Sequence, residues 1–385
     1  MRRAIGGCNV GVEINGFCET RFLPLRDAFA ANFADGLELG ASLALTHRGR
    51  MVVDLWAGHA DAERTRPWQK DTIVLVTSTT KIVMTIAALI VIDRGLLDPD
   101  APVARYWPEF AQGGKQAVTV RDVLTHQAGV PGLDPPVPLA TACDWNAMMA
   151  RIAAEPHWFG GERRICYHLH TYGFLLGELI RRVDGRRPAQ FVREELTAKA
   201  GVDFQIGVTD MSDLQRMAIP QIPQGAFDLE GFAGKLYDTI VDAASAQALG
   251  AELPSSNGWT NARAIARACA IVASGSAVDG AHFLSAQTIA AAGAEQAYGQ
   301  CPYLGWIRFG LGFGIDSKEF PAPSPTSMHW GGFGGSMGIM DPRAGVSFGY
   351  APNNFVVPSI IDGQIEPDLR QRRLHKVLAD ILPAL

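Results

Sequence analysis

The sequence predicts an α+β fold, an antiparallel β-sheet flanked by helices, with an inserted and mostly helical domain. Strand patterns occur near both ends of the chain, whereas residues 100–295 carry mainly helical periodicity. A sheet needs helices on its apolar faces to bury them. We therefore expect residues 1–98 and 300–385 to form one discontinuous α/β domain with a central antiparallel sheet, and residues 99–299 to form a helical domain.

The strands follow from short apolar runs bounded by turn residues. Residues 43–46 and 51–56 are joined by the Gly-containing turn of residues 47–50, which predicts a hairpin. A helix after Pro367 carries a one-sided apolar stripe that suits packing on a sheet. Three more strand segments are expected near the C-terminus, at residues 308–315, 336–340 and 346–350.

One helix is apolar on nearly all sides. The segment from Thr79 to about Asp93 ends at Gly95 and predicts a buried, central helix. Its longest apolar run, residues 82–92, falls well short of the ~20 residues that span a bilayer, so we expect no membrane partner. Further helices are predicted at residues 145–153, 171–183, 189–199 and 262–273.

The composition excludes several classes of protein. The chain has 385 residues, 48% hydrophobic and 19% charged, with a net charge of −5 and no basic run. A nucleic-acid partner is therefore not expected, because binding to phosphate needs a basic face. The six cysteines are scattered singly, and Gly6, Gly7, Asn9 and Glu13 interrupt the apolar core that a signal peptide needs. Both observations predict free thiols and a cytoplasmic location.

Ser78 and Lys81 form the first chemical motif. They lie three positions apart at the start of the central helix, so their side chains share one face. The Ser78 N–H would lie at the helix N-terminus, where it can face a developing oxyanion. Burial would lower the pKa of Lys81 and allow it to act as a base. The alternative is that Ser78 caps the helix while Lys81 extends towards solvent.

Two other segments could join this pair. Residues 160–173 run from a glycine turn into an apolar helix and place Tyr167 just before it, and residues 328–336 form a Gly-rich strand edge. Residues 334–338 also match G-x-S-x-G, but a nucleophile elbow needs a helix after the serine, and here another strand is predicted. We therefore expect Ser336 in a strand. His168 and His170 lack companion ligands, so no metal or cofactor is expected.

These three pieces, in this order, resemble the serine hydrolases related to class C β-lactamases and penicillin-binding proteins, and more closely the family VIII carboxylesterases. Residues 106–110, 118–126 and 167–173 also resemble segments of that family. The resemblance implies a β-lactamase/transpeptidase-like fold and an acylated Ser78. It implies that Lys81 and Tyr167 share the acid–base steps, and that the oxyanion hole consists of the N–H groups of Ser78 and Phe333.

Two departures from the family pattern favour ester substrates. Trp330, in the triplet Trp330-Gly331-Gly332, replaces the lysine with which β-lactamases hold a substrate carboxylate, and Leu169 replaces the asparagine of Y-x-N. Trp158 and Tyr172 are further candidates for lining a substrate pocket, although core packing explains Tyr172 equally well.

The predicted function is therefore a serine esterase acting on a small, moderately apolar carboxylic ester. Three alternatives stay open: an acyltransferase or amide hydrolase with the same acyl-enzyme, a weak β-lactamase, and a non-catalytic binding protein with this fold. The exact ester and the oligomeric state do not follow from the sequence.

Overall fold

A computed structural model of the chain describes residues 12–223, 246–276, 279–302, 304–356, 359–361, 364–366 and 368–385. The segment Met1–Asn9, which includes Cys8 and most of the residues that argue against a signal peptide, lies outside this description. A cytoplasmic location therefore stays a prediction. The other five cysteines are not joined to one another by disulfide bonds.

Most strands lie towards the two ends of the chain, and most helices lie between them. The strands are β1 (Asn15–Cys18), β2 (Gly40–His47), β3 (Arg50–Gly58), β4 (Val74–Leu75), β5 (Phe204–Ile206), β6 (Gly258–Thr260), β7 (Ala297–Cys301), β8 (Gly305–Phe309), β9 (Gly314–Ile315), β10 (Met328–Gly331), β11 (Met337–Asp341), β12 (Val346–Pro352), β13 (Ser359–Ile361) and β14 (Gln364–Glu366). The helices are α1 (Leu23–Ala34), α2 (Thr80–Asp93), α3 (Val120–Leu124), α4 (Leu139–Cys143), α5 (Trp145–Ala154), α6 (Thr171–Asp184), α7 (Pro188–Phe191), α8 (Ala198–Ala200), α9 (Ala246–Leu249), α10 (Ala262–Ser274), α11 (Ala286–Gly293) and α12 (Leu369–Ile381). A π-helical segment, Val192–Thr197, joins α7 to α8.

The principal sheet combines strands from both ends of the chain. Within the described residues it has nine strands in the order β1-β3-β2-β12-β11-β10-β9-β8-β7, and neighbouring strands are antiparallel. β12 pairs with β2 from Val346 opposite His47 to Pro352 opposite Ala41. This pairing brings the N-terminal and C-terminal strands together, and it confirms the predicted α+β architecture.

Helices cover both faces of this sheet. Alternate residues of a strand point to opposite faces, so neighbouring residues of one strand pack in different cores. Leu43 and Leu45 of β2 pack in one core with residues of α1 and α12. Ala44, between them, packs in the other core, which contains α2 and α10. The predicted C-terminal helix and its one-sided apolar face are thus confirmed.

Helix α2 lies at the centre of the molecule. Every residue from Thr80 to Val91 is buried, as the all-round apolar pattern predicts. It packs against α6 on one side and α10 on another. Among the residues described, none belongs to a helix long and apolar enough to cross a membrane.

Two elements bear on the predicted domain boundaries. Helix α10 lies within the segment 99–299, yet it packs against β2, β11 and β12 of the sheet. Strand β7 begins at Ala297, three residues before the expected return to the sheet. The division into residues 1–98 with 300–385 and residues 99–299 stays a prediction.

Candidate active site

Ser78 lies in a sharp turn between β4 and α2. A 3-10 turn, Thr77–Thr79, connects the two elements, and Thr77 adopts a left-handed φ of 43°. The N-cap residue of α2 is Thr79, whose hydroxyl contacts the Ser336 hydroxyl at 2.8 Å. Ser78 is buried and lies one residue before this N-cap, so it does not cap α2. From this position the Ser78 hydroxyl contacts Lys81.

Lys81 is buried beside the Ser78 hydroxyl. Its Nζ lies 3.1 Å from Ser78 Oγ and donates to the carbonyl oxygens of Leu169 at 2.6 Å and Ser255 at 3.1 Å. Burial lowers the pKa of Lys81 well below the ordinary value of 10.5. The side chain is thus held inside the protein and does not extend towards solvent.

Ser255 was missed by the sequence reasoning. Besides its carbonyl contact with Lys81, its hydroxyl donates to the His170 carbonyl at 2.7 Å and accepts the Gly173 N–H at 2.7 Å. A Cβ at Gly173 would lie 2.3 Å from the carbonyl carbon of Pro254, so only glycine allows this approach. A glycine inside a predicted helix was the available signal of a close backbone contact.

Tyr167 joins this group from the segment that precedes α6. Its side chain is buried, and Lys81 Nζ lies 4.9 Å from the centroid of its ring. The Tyr167 backbone N–H donates to the Cys301 sulfur at 3.3 Å. The structure therefore brings together the three residues that the sequence analysis selected from two distant segments.

The Gly-rich segment after β10 packs directly against the Ser78 turn. A Cβ at Gly332 would lie 2.2 Å from the Val76 carbonyl oxygen and 2.6 Å from Thr77 Oγ1. Thr77 Oγ1 also donates to the Phe333 carbonyl oxygen at 2.8 Å. The backbone of Phe333 is thus anchored to the residue that precedes Ser78.

Ser336 has a structural position in this contact. It lies in the turn directly before β11, and its hydroxyl donates to the Val76 carbonyl oxygen at 2.8 Å. A strand and not a helix follows it, so this turn is not a nucleophile elbow, and Ser336 lies before the strand and not inside it. Its hydroxyl ties the glycine turn to the segment that carries Ser78.

Trp330 forms an aromatic wall beside Tyr167. The two rings have centroids 5.3 Å apart, and His126 lies 5.9 Å from Trp330 and 4.9 Å from Tyr167. Tyr172 stacks on His126 at 4.5 Å, is completely buried, and places its hydroxyl 2.7 Å from Thr85 Oγ1. Burial raises the pKa of Tyr172. Trp330 thus contacts the candidate site directly, whereas Tyr172 lies behind it.

Trp158 and His168 make other contacts. The Trp158 indole N–H donates to Glu155 at 2.6 Å and its backbone N–H donates to the Gly129 carbonyl. His168 Nδ1 lies 2.6 Å from the Cys166 carbonyl oxygen, and its Nε2 accepts the Val130 N–H at 3.3 Å. Both ring nitrogens of His168 are therefore engaged within the chain.

A small cavity of about 40 Å³ adjoins this group. Ser255, whose carbonyl accepts from Lys81, is part of its wall, and so is His170, three residues after Tyr167. The remaining wall is largely apolar and includes Leu133, Val137, Met148, Phe174 and Leu253. Such a wall suits a short hydrocarbon group.

The fold and this arrangement define a class of protein. A buried lysine beside a serine at the start of the central helix, next to an antiparallel sheet whose Gly-rich strand approaches the serine, is the architecture of the β-lactamase-type serine hydrolases.

Comparison with known proteins identifies the family. The Beta-lactamase family model matches residues 28–361, and the chain belongs to this family. The chain is 32% identical over 376 residues to the esterase/beta-lactamase LipL of Mycobacterium tuberculosis, which covers 92% of this chain and 86% of LipL. The predicted family and the serine hydrolase class are confirmed.

Solved structures agree with this assignment. The structure resembles the crystal structure of a family VIII carboxylesterase with a TM-score of 0.87 and 35% identity, covering 96% of this chain and 100% of the other. A penicillin-binding protein homologue from Caulobacter crescentus gives a TM-score of 0.84 at 35% identity, with the same coverage. The predicted β-lactamase/transpeptidase-like fold is confirmed.

Proposed function

We propose that the chain is a carboxylesterase that hydrolyses small, uncharged and moderately apolar esters through an acyl-enzyme on Ser78. The observation that carries the proposal is the set of contacts around Lys81 Nζ. A neutral amine has two N–H bonds and one lone pair. The carbonyl oxygens of Leu169 and Ser255 can only accept, so they take both N–H bonds. The lone pair is then left for the Ser78 hydroxyl, 3.1 Å away.

In acylation, the Ser78 O–H bond breaks and its proton passes to Lys81 Nζ, while Oγ forms a bond to the ester carbonyl carbon. The carbonyl electron pair moves onto oxygen, and the N–H groups of Ser78 and Phe333 stabilise this oxyanion. The anchoring of the Phe333 backbone to Thr77 supports this second donor, because it fixes the turn next to Ser78.

Collapse of the tetrahedral intermediate expels the alcohol. Tyr167 protonates the alcohol oxygen and recovers a proton from Lys81, which its ring contacts. A water molecule then attacks the acyl carbon, gives up its proton to the same pair, and releases the carboxylic acid. Ser78 regains its proton and the site returns to its starting state.

The surroundings of the site favour an uncharged substrate. Trp330, a neutral aromatic side chain, stands where β-lactamases have a cationic one, and it packs against Tyr167. The small apolar cavity beside Ser255 suits a short acyl group. Both features disfavour an anionic β-lactam.

Labelling with a fluorophosphonate, followed by peptide mass spectrometry, tests the proposal. We expect one adduct on Ser78 and rapid hydrolysis of p-nitrophenyl acetate, with slow or absent hydrolysis of nitrocefin. Ser78→Ala should abolish both labelling and turnover. An adduct on Ser336 instead, or a Ser78→Ala protein that keeps its esterase activity, would show that the proposal is wrong.

A further inference from the structure

Two side chains of helix α12 donate hydrogen bonds to carbonyl oxygens of the turn that carries Phe333. Gly334 and Gly335 of this turn have φ angles of 94° and 108°. Glycine adopts positive and negative φ angles about equally well, so the two residues do not fix the conformation of the turn by themselves. Gly334 O accepts from Arg370 Nη2 at 3.0 Å, and Gly335 O accepts from Gln371 Nε2 at 3.1 Å. Both donors belong to the first turn of helix α12.

Arg370 is itself rigidly held. Its side chain is only 1% exposed, and Nη1 donates to the Asn354 carbonyl at 2.7 Å and to Glu38 at 3.1 Å. Nη2 also donates to Asp368 at 2.7 Å. The planar guanidinium fixes the relative directions of these bonds, so the donor to Gly334 O is set by three other partners.

Packing leaves this turn little freedom on the same side. A Cβ at Gly335 would lie 2.6 Å from Arg370 Nη2, and a Cβ at Gly334 would lie 2.4 Å from the Phe355 ring. An apolar side chain in the place of Arg370 would remove the donor to the carbonyl oxygens of both Gly334 and Asn354.

We propose that Arg370 and Gln371 are positioning residues that orient the glycine turn so that the Phe333 N–H points at the oxyanion. This inference rests on the proposed esterase function. An oxyanion donor is effective only when it is held in place before the reaction, and a displacement of 1 Å can cost on the order of 100-fold in rate. Helix α12 thus contributes to catalysis although it does not touch the substrate.

The test combines two variants with a transition-state analogue. Arg370→Gln should lower kcat by about 10-fold to 100-fold with a change in KM of less than about 3-fold, because the oxyanion forms only in the transition state. Gln371→Met removes only the bond to Gly335 O and should lower kcat by about 3-fold to 10-fold. Lys376→Met, an exposed residue of the same helix, is the matched control and should leave kcat unchanged.

A trifluoromethyl ketone supplies the readout that separates positioning from folding. It forms a hemiketal with the serine and places an oxyanion in the same site, so its inhibition constant should rise in proportion to the fall in kcat/KM across the variants. The inference is wrong if kcat/KM falls while the inhibition constant stays constant. It is also wrong if Gln371→Met changes neither kcat/KM nor the inhibition constant. Gln371→Met decides the matter where Arg370→Gln fails to fold. Failure of the proposed function is distinguishable, because fluorophosphonate would then not label Ser78 in the wild-type protein.

Discussion

The proposed chemistry of the site depends on the burial of a single residue. Lys81 is 2% exposed, and its Nζ has two carbonyl oxygens and one hydroxyl as partners. A carbonyl oxygen stabilises an ammonium far less than a carboxylate would, so desolvation dominates and lowers the pKa of the amine well below its ordinary value of 10.5. The same lysine at the surface would be protonated and could not accept the Ser78 proton.

The pH dependence of kcat/KM should reveal the lowered pKa of Lys81. The proposed mechanism requires unprotonated Lys81, so kcat/KM should fall as the pH falls through the pKa of this group. Because burial lowers that pKa well below 10.5, the acidic limb should lie far below the ordinary lysine range. A profile for p-nitrophenyl acetate measures it, and a rate that still rises above pH 10 would contradict the prediction.

Removing the amine should have a large effect. Lys81→Gln retains hydrogen-bond donors for Leu169 and Ser255 but lacks a base, and we expect kcat/KM to fall by about 10²-fold to 10⁴-fold. Steady-state kinetics on the variant measure this loss. Circular dichroism checks that the fold is retained, and a folded Lys81→Gln enzyme with near wild-type turnover would remove Lys81 from the mechanism.

Local sequence spacing made part of the site predictable. The sequence predicts that Ser78 and Lys81 share a face because they are three positions apart at the start of a helix, and the short 3-10 turn that carries Ser78 keeps this proximity. Lys81 and Ser255, in contrast, are 174 positions apart, and their contact runs through a backbone carbonyl. A carbonyl group is present at every residue, so side-chain types give no signal for it.

At the level of elements, the site depends on the approach of β10 to the Ser78 turn. Gly332 and Gly331 are adjacent but face different neighbours. A Cβ at Gly332 would lie 2.2 Å from the Val76 carbonyl oxygen, whereas one at Gly331 would first meet the Ser336 carbonyl oxygen at 3.2 Å. A side chain at Gly332 would therefore force the strand away from the Ser78 turn. A side chain at Gly331 would require a shift of only a few tenths of an ångström.

Alanine at these two glycines therefore forms a matched pair. Gly332→Ala should lower kcat by about 100-fold or more, because it displaces the Phe333 N–H from the position of the proposed oxyanion. Gly331→Ala should cause a much smaller loss. Kinetics on both variants, with thermal unfolding to confirm folding, measure the difference, and equal losses would show that the close approach at Gly332 is unimportant.

The cavity beside Ser255 predicts the preferred acyl length. Its volume of about 40 Å³ admits a short acyl chain, so p-nitrophenyl acetate and butyrate should be hydrolysed faster than the octanoate. Leu133→Ala enlarges the cavity and should shift the preference towards longer chains, even though it costs about 2 to 5 kcal/mol of stability.

Leu175→Ala is the matched control for the acyl-length prediction. Leu175 is completely buried on α6 but is not among the residues that line the cavity. It should destabilise the protein to a similar degree and leave the chain-length profile unchanged. A profile that shifts equally in both variants would mean that the cavity does not hold the acyl group.

Some elements differ from the sequence prediction for physical reasons. The alternating apolar residues of segment 308–315 predict one strand, but the chain turns between β8 and β9 at Gly310 and Gly312, where Gly312 has a φ of 94°. The helix predicted at residues 189–199 contains the π-helical segment Val192–Thr197. Apolar periodicity does not distinguish one continuous strand from two strands joined by a tight turn. It also does not distinguish a π-helical turn from an α-helical one.

For the whole molecule, the sequence predicts the fold class better than the arrangement of its parts. Strand patterns at both ends predict a shared sheet, and β12 indeed pairs with β2. The order of nine strands depends on contacts between distant segments, which no local pattern contains. Helix α10 illustrates the limit, because its apolar face fits a sheet or a helical domain equally well, and only the tertiary structure shows it against the sheet.

A buried histidine and a partly buried one should make the stability of the whole protein depend on pH. His329 of β10 and His375 of α12 have rings 6.3 Å apart, and burial lowers their pKa from 6.5 to about 3 and about 4. Below pH 6.5 the unfolded chain binds protons at these positions and the folded chain does not. The free energy of unfolding should therefore fall as the pH falls from 6.5 towards 4.

The double variant His329→Gln, His375→Gln isolates this contribution. Each histidine should cost the wild-type protein about 1 to 2 kcal/mol of unfolding free energy between pH 7 and pH 5, since one pKa unit corresponds to about 1.4 kcal/mol. The variant lacks both groups, so its stability should fall less over the same interval, whatever its absolute value. Urea unfolding of both proteins at pH 7 and pH 5 measures the two differences. Equal losses would mean that these histidines take up protons as readily in the folded protein as in the unfolded chain, which their burial argues against.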